Sequence, residues 1–143
     1  MSDKAIRQAL EGTLKLLCES IVPKIPISYQ NVTFTPKLGV PYVQCFILPA
    51  KTIDPSIGAS HVRKVGIFQV SAYFPVNEGS SKIEAFKDAV ENMFYRGRSI
   101  KQDNLWVVID STPSCTTSSV QNGWYIMFIS IDYRMEVLKP LIK

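Results

Sequence analysis

The sequence holds one histidine, three cysteines and seven glycines in 143 residues, and each scarcity removes a class of chemistry. With His61 as the lone imidazole, a metal site would have to recruit Cys or carboxylate partners at ligand spacing, and none stands there. Cys18, Cys45 and Cys115 are widely spaced and odd in number, which suits free thiols in a reducing cytoplasm better than a disulfide framework. A thiolate at Cys45 or Cys115 paired with His61 would need a third orienting group and a cleft, so inert thiols are the simpler expectation. The glycines build no phosphate-cradling loop, nucleophile elbow or dinucleotide fingerprint. Glu84, Asp88 and Glu91 fall on the outer side of a predicted helix, where charges solvate a surface. No catalytic residue, cofactor or metal is therefore expected.

Long apolar runs are missing as well. Stretches such as Trp124 to Ile129 fall far short of the roughly 20 residues that span a bilayer, and the polar opening Met1-Ser2-Asp3-Lys4 has no basic segment leading an apolar one. Neither a membrane helix nor a cleaved signal is expected. A basic run is also lacking, although the net charge is +4 and the pI near 9.0. The cations stand in small groups at His61, Arg63 and Lys64, at Arg96, Arg98 and Lys101, and at Lys139 and Lys143, which describes an ordinary solvated surface rather than a phosphate-tracking stripe.

What is present suits one folded domain spanning residues 1–143, with 46% hydrophobic and 20% charged residues and mean hydropathy +0.08. Ile6, Ala9, Leu10, Thr13, Leu14, Leu17 and Ile21 recur at helical spacing; Ser2 or Asp3 caps that helix and Pro23 and Pro26 end it. Ser28 to Thr35 and Val40 to Leu48 read as a hairpin around Pro36-Lys37-Leu38-Gly39. Pro49 to Ser60 reads as a long loop. His61 to Phe74 is a long strand with apolar residues on both faces. A second helix starts at Ser81, with Glu84 placed for a capping box, and buries Ile83, Phe86, Ala89, Val90, Met93 and Phe94; Gly97 supplies a left-handed C-cap.

Leu105 to Asp110 forms a further strand, and Pro113 to Gly123 a polar hairpin or loop. Trp124 to Val137 then alternates strictly. Tyr125, Met127, Ile129, Ile131, Tyr133 and Met135 face the core, while the opposite face changes from Trp124, Ile126 and Phe128 to Ser130, Asp132, Arg134 and Glu136. A strand of about 45 Å, at ~3.3 Å per residue, exceeds what a lone small domain needs. Its second face is expected to meet a helix at one end and water or a neighbour at the other. The predicted class is α+β: a mixed, mainly antiparallel twisted sheet covered by two helices. Trp106 and Trp124 are expected to pack inside.

The order helix, hairpin, long loop, long strand, capped helix, strand, hairpin, long strand resembles the bacteriophage tail terminator proteins over nearly the whole chain. The resemblance is carried by the opening helix from Asp3 to Ser20, by Arg63-Lys64-Val65-Gly66-Ile67-Phe68-Gln69-Val70-Ser71-Ala72-Tyr73-Phe74-Pro75, by Ala85-Phe86-Lys87-Asp88-Ala89-Val90, and by Trp124 to Arg134, whose aromatic–basic pair Tyr133-Arg134 ends the pattern.

The resemblance implies a structural protein of the virion tail, assembled in the bacterial cytoplasm. Such a subunit caps the tail tube as a ring, usually six-fold, ends tube growth and offers a surface to the head connector; it can be a monomer in isolation. Its partners would be the tail tube protein, head–tail connector or neck proteins and further copies of itself, with DNA only as cargo passing through the lumen and no membrane. Lys51, Asp54, His61, Arg63, Lys64, Arg96, Arg98 and Arg134 are the candidate interaction residues. Lys51 to Lys64 is expected to be an intersubunit or tube-facing loop, and Arg96-Gly97-Arg98 to lie near an acidic partner surface or the DNA passage. A neck or connector protein of the same apparatus, or a non-phage ligand-binding or small enzyme domain, are the alternative readings.

Overall fold

The computed structural model of the chain describes residues 3–54, 61–116 and 119–138. The element order is α1 (Asp3–Ser20), β1 (Ile27–Ser28), β2 (Tyr42–Pro49), β3 (His61–Pro75), α2 (Ser81–Met93), β4 (Ser99–Gln102), β5 (Leu105–Ile109), β6 (Ser114–Cys115), β7 (Ser119–Gln121) and β8 (Trp124–Leu138). The class is α+β, as expected. All eight strands join one sheet in the order β1-β2-β3-β8-β5-β4, with β6 and β7 following β5 along the same edge of β8. Every pairing is antiparallel except β1 with β2.

The two 15-residue strands β3 and β8 form the spine, paired from His61↔Leu138 to Pro75↔Trp124. Period-2 alternation sends Phe68, Val70, Ala72 and Phe74 of β3, and Met127, Ile129, Ile131, Tyr133 and Met135 of β8, to one face, where they are buried. The helices supply the other half of the core. Leu10, Leu14 and Leu17 of α1 and Ile83, Phe86 and Val90 of α2 lie on that face, with Phe86 near Phe74 and Phe94 near Phe68 at ring-centroid distances of 6.2 and 5.9 Å. The sheet curls around α1, because both of its edges reach that helix: Gln102 of β4 donates to Gln8 at 3.3 Å, and Arg7 donates to Gln30, just past β1, at 3.2 Å.

Several local expectations are corrected. Ser28 to Thr35 does not form a hairpin with β2. β1 is two residues long and parallel to β2, and residues 29–41 run irregularly, because Pro36 and Pro41 remove ladder donors there. The N-cap of α2 is Ser80 rather than Ser81, and its side chain makes no capping bond, so Glu84 lies one position too far along for a capping box; its amide instead donates to the Ser80 carbonyl at 3.0 Å. Gly97 is left-handed (φ +86), yet the helix has already ended at Phe94, and Gly97 serves the turn into β4, donating to the Ile109 carbonyl at 2.7 Å. β4 itself is missing from the sequence reading. It joins β5 through Asp103-Asn104, both at positive φ (51 and 65), the geometry of a two-residue primed turn. Asn122-Gly123 makes the same kind of turn between β7 and β8. Of the expected loop from Pro49 to Ser60, residues 55–60 lie outside the described residues.

Gly12, on the exposed side of α1, has nothing within 4 Å of a Cβ placed there. Gly12→Ala is therefore expected to stabilise the protein by about 0.5–1 kcal/mol, because alanine costs less backbone entropy in a helix. Thermal unfolding checks this as a rise of roughly 2–6 °C in the melting midpoint.

Candidate interaction surface

Among the described residues, alternation leaves the second face of the sheet without a helix. Successive rows across β2, β3 and β8 read Tyr42–Tyr73–Ile126, Gln44–Ser71–Phe128, Phe46–Gln69–Ser130 and Leu48–Ile67–Asp132, and then Val65–Arg134 and Arg63–Glu136. The helix expected at one end of this face is not found among the described residues. Its place is taken by side chains of the sheet itself: Tyr42 stacks on Tyr73 with centroids 4.5 Å apart and planes 2° apart, Trp124 meets Tyr42 edge-on at 5.1 Å, and Phe34 tilts onto Tyr42 at 5.1 Å. Desolvation in this cluster raises the phenol pKa of both Tyr42 and Tyr73. Trp124 is thus part-buried, whereas Trp106 is half exposed, 50%, on the same face of the sheet with the Lys101 ammonium 5.8 Å from its ring centre.

The opposite end of this face is charged. Arg63 Nε donates to both carboxylate oxygens of Glu136, at 3.1 and 2.8 Å; Arg134 Nε lies 3.6 Å from the same carboxylate, and Arg134 Nη1 donates to Asp110. Ser111 donates to Asp132 at 2.8 Å. These groups are a third to a half exposed, so each pair is worth on the order of 0–1 kcal/mol and holds side-chain positions more than it holds the fold. Between the charged corner and the aromatic cluster lie Leu48 and Ile67, directly opposed on neighbouring strands and 47% and 36% exposed.

The structure does not bring the candidate residues together at one place. Lys51 and Asp54 are exposed beside the Ile53↔Arg63 bridge, which sets them against the corner that holds Arg63 and Arg134. Arg63 and Lys64 are strand residues of β3, not loop residues, and alternation turns them to opposite faces. Lys64 reaches the helix side, where it pairs with Asp3 of α1 at 3.0 Å. His61 opens β3, and its side chain lies outside the described atoms. Arg98 turns back to donate to the Met93 carbonyl at 2.6 Å, satisfying one of the orphan acceptors at the end of α2, while Arg96 is exposed. Leu48 and Ile67 were not singled out by the sequence. The signal available was the apolar character of both faces of β2 and β3.

Among the described residues no three His, Cys, Asp or Glu side chains gather to hold a metal, and no helix is long and apolar enough to cross a membrane. Burial pushes the Cys18 and Cys45 thiols up to about 12, and Cys115 is raised in the same direction, so none is a ready thiolate. Cys18 and Cys45 are therefore expected to resist alkylation in the native protein at pH 8. Unfolded thiols lose their protons near 9.0 while the folded ones hold theirs to about 12, so the native state binds more protons in that window. Stability should fall as pH rises from 9 to 12, read as declining urea midpoints.

A comparison with curated proteins finds none that matches. A solved structure of a protein with no functional name superposes with a TM-score of 0.82 at 26% identity, covering 99% of this chain and 99% of that one. The family model for phage tail terminator proteins matches residues 5–133, from the first buried residue of α1 to the aromatic residue of the Tyr133-Arg134 pair near the end of β8. The chain belongs to the phage tail terminator family, a family of structural proteins of the phage tail.

Proposed function

We propose that this chain caps the tail tube as one subunit of a ring, six-fold in the usual arrangement, ends tube polymerisation and presents the surface to which head connector or neck proteins join. Membership of the terminator family supports the tail role. The observation that carries the contact surface is the uncovered sheet face, on which the exposed pair Leu48 and Ile67 lies between a charged corner and an aromatic cluster. An exposed apolar patch rimmed by polar groups is the usual mark of a protein contact. A heterologous contact closes into a ring when its rotation allows, and such a subunit needs more than one surface.

In this reading Leu48, Ile67 and the corner of Lys51, Asp54, Arg63 and Arg134 meet the tube protein or the next subunit. His61, at the start of β3, and Lys64, on the helix side, belong to the same end of the sheet. Arg96 and Arg98 lie toward an acidic partner surface or the passage through which DNA travels as cargo. The ring forms in the bacterial cytoplasm during virion assembly, and the isolated chain can stay monomeric until a tube end templates it. The test is to add purified protein to growing tail tubes and image their ends by electron microscopy. Tubes that stop, each end carrying a ring of added density, are expected; tubes that grow on with bare ends would refute the capping role.

A further inference from the structure

Gly66 lets a tyrosine cross its strand. Tyr133 opposes Gly66 in the pairing of β8 with β3, and Gly66 is paired in turn with Pro49 at the end of β2. The ring of Tyr133 fills the space that a side chain at position 66 would take: its Oη lies 2.5 Å, and its Cζ 2.8 Å, from where a Cβ would stand. The Leu48 carbonyl oxygen of β2 is 2.7 Å from the same point. A glycine inside a strand commonly marks such a close approach. The ring thereby lies over β3 and carries its hydroxyl from β8 toward the end of β2.

The hydroxyl arrives at a cavity of about 420 Å³ between β2 and the first turn of α1. Ile47 and Pro49 line it from the sheet and Ile6 from the helix, alongside Tyr133 itself. Tyr133 is 3% exposed, yet no described residue donates to its hydroxyl or accepts from it. A buried polar group without a partner costs stability, and a phenyl ring of the same shape would not carry that cost.

The other polar groups around the cavity are mainly donors. Lys4 and Arg7 line it, with Arg7 held by Glu11 at 2.9 Å through Nη1 and by Gln30 at 3.2 Å through Nη2. Asp3, the acid on the lining, is paired with Lys64 at 3.0 Å. Asp3, Lys4 and Ile6 belong to the first turn of α1, whose amides have no acceptor within the helix and form its positive end. Burial raises the Tyr133 phenol pKa, the Asp3 carboxylate adds to the rise and the Arg7 guanidinium opposes it, which puts the hydroxyl in the field of both groups. A hydroxyl in need of an acceptor, beside a helix N-terminus and two cations, fits an anion. The nearby Asp3 carboxylate disfavours a doubly charged one, and the apolar wall of Ile6, Ile47 and Pro49 suits a short hydrocarbon stem.

We propose that this cavity binds a monovalent carboxylate, which accepts a hydrogen bond from Tyr133 Oη and lies against the first turn of α1 near Lys4 and Arg7. The carboxylate is that of a free small acid or of an Asp or Glu side chain on another protein. The site does not depend on which protein the uncovered sheet face meets.

The test is an amide NMR titration of the isotope-labelled full chain and of Tyr133→Phe with sodium acetate, N-acetylglutamate α-methylamide and sodium sulfate, at ionic strength held constant with sodium chloride. Acetate is expected to shift the amides of the first turn of α1 saturably in the millimolar range, and sulfate is not. Tyr133→Phe should bind acetate at least about tenfold more weakly, the loss of one hydrogen bond to a charged acceptor, while its melting midpoint does not fall. Tighter binding of the glutamate derivative than of acetate assigns the site to an acidic side chain of a partner; equal or weaker binding assigns it to a free acid. Acetate shifts that do not saturate, or sulfate binding as tightly as acetate, would overturn the carboxylate site. Unchanged acetate affinity in Tyr133→Phe would overturn the role of the hydroxyl, and a fall in the melting midpoint of that variant would show that the hydroxyl already has a partner within the fold.

Discussion

Gly66→Ala is expected to lower the melting midpoint by roughly 5–10 °C, a loss of about 2 kcal/mol for a domain of this size. Gly66 lies in the middle of β3, directly opposite Tyr133 of β8 and Pro49 of β2. A Cβ there would stand 2.5 Å from Tyr133 Oη, 2.8 Å from Tyr133 Cζ and 2.7 Å from the Leu48 carbonyl oxygen. The first two contacts could be eased by moving a ring, but Tyr133 is only 3% exposed and packed among core residues. The third is with the backbone of the neighbouring strand, so relief there means bending the sheet. The glycine is required by this close approach and not by a left-handed backbone. Adding Tyr133→Phe to Gly66→Ala removes the hydroxyl contact and leaves the other two, so only part of the lost stability should return. A Gly66→Ala protein melting at the wild-type temperature would show that the ring and strand can shift freely.

The largest functional effect is expected from Leu48→Glu combined with Ile67→Lys. The two side chains oppose each other across β2 and β3 on the uncovered face, and each is already more than a third exposed. Little packing is therefore lost, and the new charges form an opposite-sign cross-strand pair beside Asp132, which the sheet tolerates. The far-ultraviolet spectrum and melting midpoint should stay close to those of the wild type. If this pair lies at the centre of the contact with the tube or the next subunit, desolvating two charges there should raise the concentration needed to cap tubes by at least about tenfold. Lys15→Glu, on the outer side of α1, should leave capping unchanged. Capping by the double variant at wild-type concentration would place the contact elsewhere.

The readable parts of the fold were those governed by periodicity. The stripe from Ile6 to Leu17 gave α1 its limits, and strict alternation from Tyr125 to Met135 gave β8 and its buried face. Readings that depended on local turn chemistry fared less well. Pro36-Lys37-Leu38-Gly39 looks like a hairpin turn, and Val40 does donate back to Lys37 at 3.2 Å, but the preceding segment finds its partners in parallel pairing and in side chains. Asp103-Asn104 hid β4, because Ser99 to Gln102 has too little apolar alternation to read as a strand until its partner β5 is known. The candidate surface was legible only as a set of charged and basic residues with Asp54 among them. Lys64 and Arg98 turn out to be engaged by Asp3 and by the end of α2, and the exposed pair Leu48 and Ile67 looks like ordinary strand core until the sheet shows which face has no helix.

The most direct measurement of tube termination is the length distribution of tails assembled in infected cells when this chain is absent and when it is supplied in trans. The account predicts tubes that run past their normal length and carry no heads, with length and head joining restored by the wild-type chain. Tubes of normal length in its absence would contradict the claim that this protein ends tube growth.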